Sequence, residues 1–183
     1  NTALGYQALK SFTTGGSNVA IGYQAGDDIT TGDSNVAIGE SAGTALTTGT
    51  YNVILGSRAG ENITTQVKNV FIGRAAGISN NNGSENVAIG YVAGRYATGS
   101  YNTFVGSEAG DGNSSAPYSS GQENVAIGYQ ALSGFTTAGG NIAIGYQAGN
   151  DITTGGNNVF IGKLAGDLLT TGTNNVVVGS GAL

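Results

Sequence analysis

Cysteine, histidine, methionine and tryptophan are all missing from this chain, and proline occurs once. Without histidine or cysteine, no Ser-His-Asp or Cys-His constellation can be assembled, and no zinc site of the usual kind. The lack of cysteine also removes disulfides as staples, which a long hydrogen-bonded stack does not need. Charge is scarce: 9% of residues are charged, six basic against eleven acidic, for a net charge of −5. With no basic cluster to neutralise phosphates, nucleic acid is a poor partner. No stretch approaches the roughly 18 apolar residues of a membrane span, and no charged-then-apolar leader stands at Asn1. The expectation is a soluble segment, an excerpt of something longer.

What the chain has in excess is glycine, 34 residues. With a single proline this is neither a collagen pattern nor a proline-rich disordered tract. The glycines belong to a repeat. An asparagine returns at Asn1, Asn18, Asn35, Asn52, Asn69, Asn86, Asn102, Asn124, Asn141, Asn158 and Asn175, at intervals of 17 apart from one of 16 and one of 22. Self-similarity at a short fixed period marks a chain of stacked structural units.

In register the unit reads Asn-Val-Ala-Ile-Gly-Tyr-Gln-Ala-Gly-x-x-Ile-Thr-Thr-Gly-x-x, most cleanly from Asn18 to Ser34 and from Asn141 to Asn157. Seventeen residues are too few for a helical repeat with its turns, and the β-branched run between Asn and Gly reads as a short strand. The predicted fold is all-β: one continuous β-solenoid over 1–183 of about eleven 17-residue coils, each with two or three short strands. The coils of 69–123 are irregular. There Ile78 to Gly83 replace the Thr-Thr-Gly corner, one unit is a residue short, and the unit from Asn102 carries five extra residues around Gly112 to Ser120. Insertions in a solenoid emerge at a corner, so the gathering of Tyr96, Tyr101, Pro117 and Tyr118 marks a place for a decoration or contact.

Alternate strand residues face opposite ways. Placing Val19 and Ile21, Val36 and Ile38, and Val159 and Ile161 inside turns the third position outward. That column is Ala20, Ala37, Ile54, Phe71, Ala88, Phe104, Ala126, Ala143, Phe160 and Val177. An outward apolar column needs a cover, so it is expected to be the interface of a homo-oligomer, with end-to-end filament growth as a further possibility. The anchors Asn18, Asn35, Asn52, Asn69, Asn86, Asn102, Asn124, Asn141, Asn158 and Asn175 are expected to stack as an amide ladder at the ~4.8 Å strand spacing.

No enzyme is expected. Asp27, Asp28, Asp33, Glu61, Glu85, Asp111, Glu123, Asp151 and Asp167 fall at corners, as solvated loop charge does, and no catalytic, cofactor or metal residue is assigned. Each Gly-x-x-Ala-Gly lacks the following helix and the Lys-Ser/Thr pair of a phosphate loop. Glycosylation is permitted at Asn62, Asn82 and Asn113. Two surface columns suit ligands instead. Tyr23, Tyr129 and Tyr146 with Gln24, Gln130 and Gln147 fit a surface glycan, unless they are only an amphipathic second strand. The pairs Thr13-Thr14, Thr30-Thr31, Thr47-Thr48, Thr64-Thr65, Thr136-Thr137, Thr153-Thr154 and Thr170-Thr171 resemble ice-binding arrays, although adjacent residues cannot both face one plane.

The Asn-Val-Ala-Ile-Gly pentapeptide resembles the head repeat of trimeric autotransporter adhesins of the YadA type. Those heads are left-handed parallel β-rolls that trimerise through their strands, and their unit is shorter by about one corner. Asn1 to Leu9 and Asn18 to Gly32 are similar to Asn-Thr-Ala-Ile-Gly-Tyr-Gln-Ala-Leu and Thr-Thr-Gly arrays of phage tail fibres and large bacterial surface proteins, often ahead of a chaperone domain. The resemblance covers essentially the whole chain. It implies a homotrimeric, extracellular, cell-surface or virion-borne fibre used for spacing, filament assembly or adhesion. The alternative is a ligand-binding module that recognises glycan or ice.

Overall fold

The computed structural model describes residues 1–115 and 118–183; Pro117 lies outside them. Eleven three-residue strands form one parallel sheet in chain order. They are β1 (Thr2–Leu4), β2 (Val19–Ile21), β3 (Val36–Ile38), β4 (Val53–Leu55), β5 (Val70–Ile72), β6 (Val87–Ile89), β7 (Thr103–Val105), β8 (Val125–Ile127), β9 (Ile142–Ile144), β10 (Val159–Ile161) and β11 (Val176–Val178). Equivalent residues of successive coils lie opposite one another, Ala37 between Ala20 and Ile54, and Phe71 after Ile54. This is a β-solenoid, and at the usual strand spacing its sheet is about 50 Å long.

Each coil has one strand rather than two or three. Beyond the strand the backbone closes two consecutive turns, as where Ala25 N–H donates to the Gly22 carbonyl and Ile29 N–H to the Gly26 carbonyl. The seventh residue of the coil is left-handed in every unit that carries a side chain there (Gln24 φ 53°, Arg58 φ 59°, Gln147 φ 52°), which excludes an extended second strand. Coil still bonds to coil outside the sheet: Gln24 N–H donates to the Tyr6 carbonyl at 2.8 Å and Thr30 N–H to the Thr47 carbonyl at 3.0 Å.

The phase of the strand is the reverse of the one expected. Ala20, Ala37, Ile54, Phe71, Ala88, Phe104, Ala126, Ala143, Phe160 and Val177 are 0–3% exposed and line the interior. They are therefore core residues and not an outward column. Val19, Ile21, Val36, Ile38, Val159 and Ile161 are half-buried or exposed on the outer face. The cause is the anchor asparagine. Asn18, Asn35, Asn52, Asn69, Asn86, Asn102, Asn124, Asn141 and Asn158 are 0–2% exposed, so the first position points inward, and alternation then carries the third position inward with it.

Volume in so narrow an interior is shared between coils. Where the third position is Ala37, the twelfth is Leu46; where it is Phe71, the twelfth is Asn80, whose side chain accepts the Gly83 N–H. The coil with Ala88, Ala93 and Ala97 sits beside Phe104, whose ring in turn lies 5.8 Å from Phe135. The fifth-position glycine is required by both space and conformation. Gly39 has φ +131°, and a Cβ there would lie 2.7 Å from the Gly56 carbonyl carbon of the next coil.

The asparagines account for the polar groups of the first position. Asn35 N–H and Nδ2 both donate to Asn18 Oδ1, at 2.9 and 3.0 Å, while Asn35 Nδ2 also donates to the Gly49 carbonyl at 2.9 Å. The backbone link of the ladder recurs from Asn1 to Asn175 and survives both irregular coils, with Asn102 N–H donating to Asn86 Oδ1 at 2.8 Å and Asn124 N–H to Asn102 Oδ1 at 3.0 Å. In the short coil the fit is imperfect, and Asn86 Nδ2 is buried without a partner.

Replacing Asn141 by alanine would orphan the Asn158 N–H, which donates to its Oδ1, and the Gly155 carbonyl, which accepts from its Nδ2. Urea denaturation of Asn141→Ala is expected to show a loss on the order of 3 kcal/mol. Asn141→Asp should recover little of it, because a carboxylate cannot donate to Gly155. Gly39→Ala should cost at least about 2 kcal/mol in the same assay, and a neutral Gly39→Ala would contradict the close coil-to-coil approach.

Candidate functional site

Three surfaces stand out. The first is the outer face of the sheet, two parallel columns of aliphatic side chains from the second and fourth coil positions. Ile72, Ile127, Ile142, Ile144 and Ile161 are 36–39% exposed, and Val176 and Val178 at the end of the stack are 75% and 64% exposed. Polar side chains do not interrupt these columns except at Thr2 and Thr103. Parallel sheets are normally covered on both faces, and this one is covered on one.

The second surface is the tyrosine column that follows the fifth-position glycine. Tyr6 and Tyr23 stack at 5.5 Å, and Tyr129 and Tyr146 at 5.4 Å, all of them exposed. Beside them runs an amide ladder in which Gln24 Nε2 donates to Gln7 Oε1 and Gln147 Nε2 to Gln130 Oε1. The column is interrupted after Tyr23 and resumes at Tyr91 and Tyr129, so it forms patches rather than a stripe. The threonine corners are less available. The hydroxyls of Thr30, Thr47, Thr136 and Thr153 donate to the carbonyls of the next coil. In the inner coils only the second threonine of each pair, such as Thr31, Thr48, Thr137 and Thr154, remains exposed, while both members of Thr13-Thr14 and Thr170-Thr171 are exposed.

The third surface lies in the irregular zone and is concave. A pocket of about 360 Å³ is lined by Arg58, Asn62, Arg74, Ala75, Ile78, Ser79, Val92, Arg95 and Tyr96. It arises from three successive coils, because the seventh position, glutamine in four other coils, is Ala75 and Val92 here. Loss of those long amides leaves a dent floored by Ala75, Ile78 and Val92, a small buried cluster separate from the main core. Arg95 makes a bidentate pair with Asp111 (Nε to Oδ1 2.8 Å, Nη2 to Oδ2 2.6 Å) and lies 4.7 Å from the centre of the Tyr96 ring. Burial pushes the Asp111 carboxyl up from its ordinary range, and the Arg95 guanidinium pulls against that shift. Tyr96 in turn stacks on Tyr118 at 5.6 Å. In the enlarged coil the Ser119 hydroxyl accepts from Asn113 N–H and donates to the Phe135 carbonyl.

The aliphatic columns were legible as apolar in the sequence but assigned to the wrong face. The arginine pocket escaped the sequence reading, although its signal was present: the chain's three arginines, Arg58, Arg74 and Arg95, stand in three consecutive units. No group of three or more His, Cys, Asp or Glu side chains is placed to hold a metal among the described residues. Among the described residues no helix is long and apolar enough to cross a membrane. Comparison of the chain with protein-family models, with curated proteins and with solved structures gives no match.

Proposed function

We propose that this chain is a rod segment of an extracellular, cell-surface or virion-borne fibre, associated with copies of itself through the outer face of its parallel sheet. The observation that carries the reading is the pair of aliphatic columns from Val19 and Ile21 to Val176 and Val178, interrupted by a polar side chain only at Thr103 and left uncovered along the stack. Burying such a face is favourable in proportion to the apolar area removed from water, and a second copy of the same periodic surface matches it coil for coil. The Asn-Val-Ala-Ile-Gly resemblance to trimeric autotransporter heads favours three copies, and the role that follows is mechanical: spacing, filament assembly or presentation of an adhesive tip. Multi-angle light scattering of the isolated chain should report a trimer. Lysines at Ile38, Ile72 and Ile144, one face and three separate coils, should dissociate it without loss of the β-sheet circular dichroism signal. A stable monomeric wild type would overturn the interface.

The stacked, exposed tyrosine pairs beside glutamine ladders support a second reading, a glycan-binding module. Aromatic faces with adjacent amides suit sugar rings, which present C–H faces and hydroxyls together. On this reading Tyr129→Ala with Tyr146→Ala should abolish signals on a glycan array. Ice binding is the weaker form of the same alternative, since the hydroxyls of Thr13, Thr30, Thr47, Thr136 and Thr153 already donate to backbone, and thermal hysteresis near zero is the outcome expected.

A further inference from the structure

The pocket at Arg58, Arg74 and Arg95 is a binding site for a singly charged acidic sugar, we infer: a carboxylate-bearing saccharide unit held at Arg74. The inference is independent of the fibre reading, because the pocket is built from turn positions and uses no strand residue. Several observations converge on it. In a chain of net charge −5 all three arginines border one cavity. Two of them are neutralised locally, Arg58 by Glu61 at 2.7 Å and Arg95 by Asp111 at 2.6 Å, whereas Arg74 has no carboxylate partner among the described residues. Its guanidinium lies 5.7 Å from the centre of the Tyr91 ring, which orients the fork without using its N–H donors. One uncompensated guanidinium matches one negative charge, and does not suit a polyphosphate.

The remainder of the cavity suits a sugar rather than a bare anion. At about 360 Å³ it holds far more than a sulfate, and beneath its mostly polar walls the nearly buried Ala75, Ile78 and Val92 leave a small apolar patch for ring C–H groups. The side chains of Asn62 and Ser79 line the walls and make no protein hydrogen bond among the described residues, so their donors and acceptors remain for hydroxyls. Finally, the floor is strained. Val92 sits at φ 49°, and it is the one β-branched residue among those described with positive φ. The left-handed backbone is common to the seventh position of the coils, and what is particular to this one is a β-branched side chain at the base of a cleft, where four other coils carry glutamine.

Isothermal titration of the full chain with glucuronic acid and the methyl glycoside of N-acetylneuraminic acid, against glucose, sodium gluconate and sodium sulfate, tests the site. At least one acidic sugar is expected to bind at one site per chain, with glucose, gluconate and sulfate at least tenfold weaker. Arg74→Gln should weaken it tenfold or more, and Val92→Gln, which restores the amide of other coils and fills the dent, should abolish it. Both variants should melt at the wild-type temperature to within a few degrees, since Arg74 is exposed and glutamine already occupies the equivalent left-handed position at Gln24 and Gln147. No binding by either acid overturns the inference. So does sulfate or gluconate binding as tightly as the sugars, which would leave a simple anion site, or unchanged affinity in both variants.

Discussion

The structure depends on one hydrogen-bonding arrangement, a buried asparagine that does the work of backbone on both sides of itself. A three-residue strand is too short to fix its own register, and a coil of 17 residues encloses too little volume for a large apolar core. The side chain of Asn35 answers both needs: its amide reaches the carbonyl 14 residues on, closing its own coil, and its oxygen receives the N–H of Asn52. Each coil is thereby closed and stacked by the same residue. Low dielectric makes these bonds stronger and makes an unfilled one costly, so the ladder specifies register as well as stabilising it.

The inward asparagine also decides which way everything else faces. From the sequence, period, strand position and parallel stacking were all legible, because a 17-residue repeat with an Asn-x-β-branched-x-Gly core admits few structures. The inside of the coil was read backwards because valine and isoleucine are larger and more apolar than the alanines between them. Column variability was the better guide. The third position ranges over Ala, Ile, Phe and Val, as an interior requires when neighbouring coils exchange volume, whereas the second and fourth stay almost uniformly β-branched, as a flat repeated surface does. A buried amide at the first position and a large side chain at the second cannot both point inward on one strand.

The turns were legible only in part. Glycine recurs at the fifth position, where φ is positive, but the left-handed backbone at Gln24, Arg58, Ala75 and Val92 carries no residue-type signal. Their conformation is imposed by coil-to-coil backbone bonds, such as Arg58 N–H to the Glu40 carbonyl and Val92 N–H to the Arg74 carbonyl, and tertiary context of this kind overrides local preference. The same bonds place side chains 17 residues apart over one another. The three arginines are not stacked equivalents: Arg58, Arg74 and Arg95 hold the seventh, sixth and tenth positions of three consecutive coils, and the in-register stacking of those coils brings them to one cavity.

Five extra residues enter between Asn102 and Asn124, yet the pairing of β7 with β8 keeps Phe104 opposite Ala126, in step with every other rung. The extra length lies outside the strands, and the register of the sheet is the same on either side of it. A rod built on this plan can therefore change its outline at that coil while its spine stays constant, so surface features can be gained, lost or exchanged coil by coil without the axis having to be rebuilt around them.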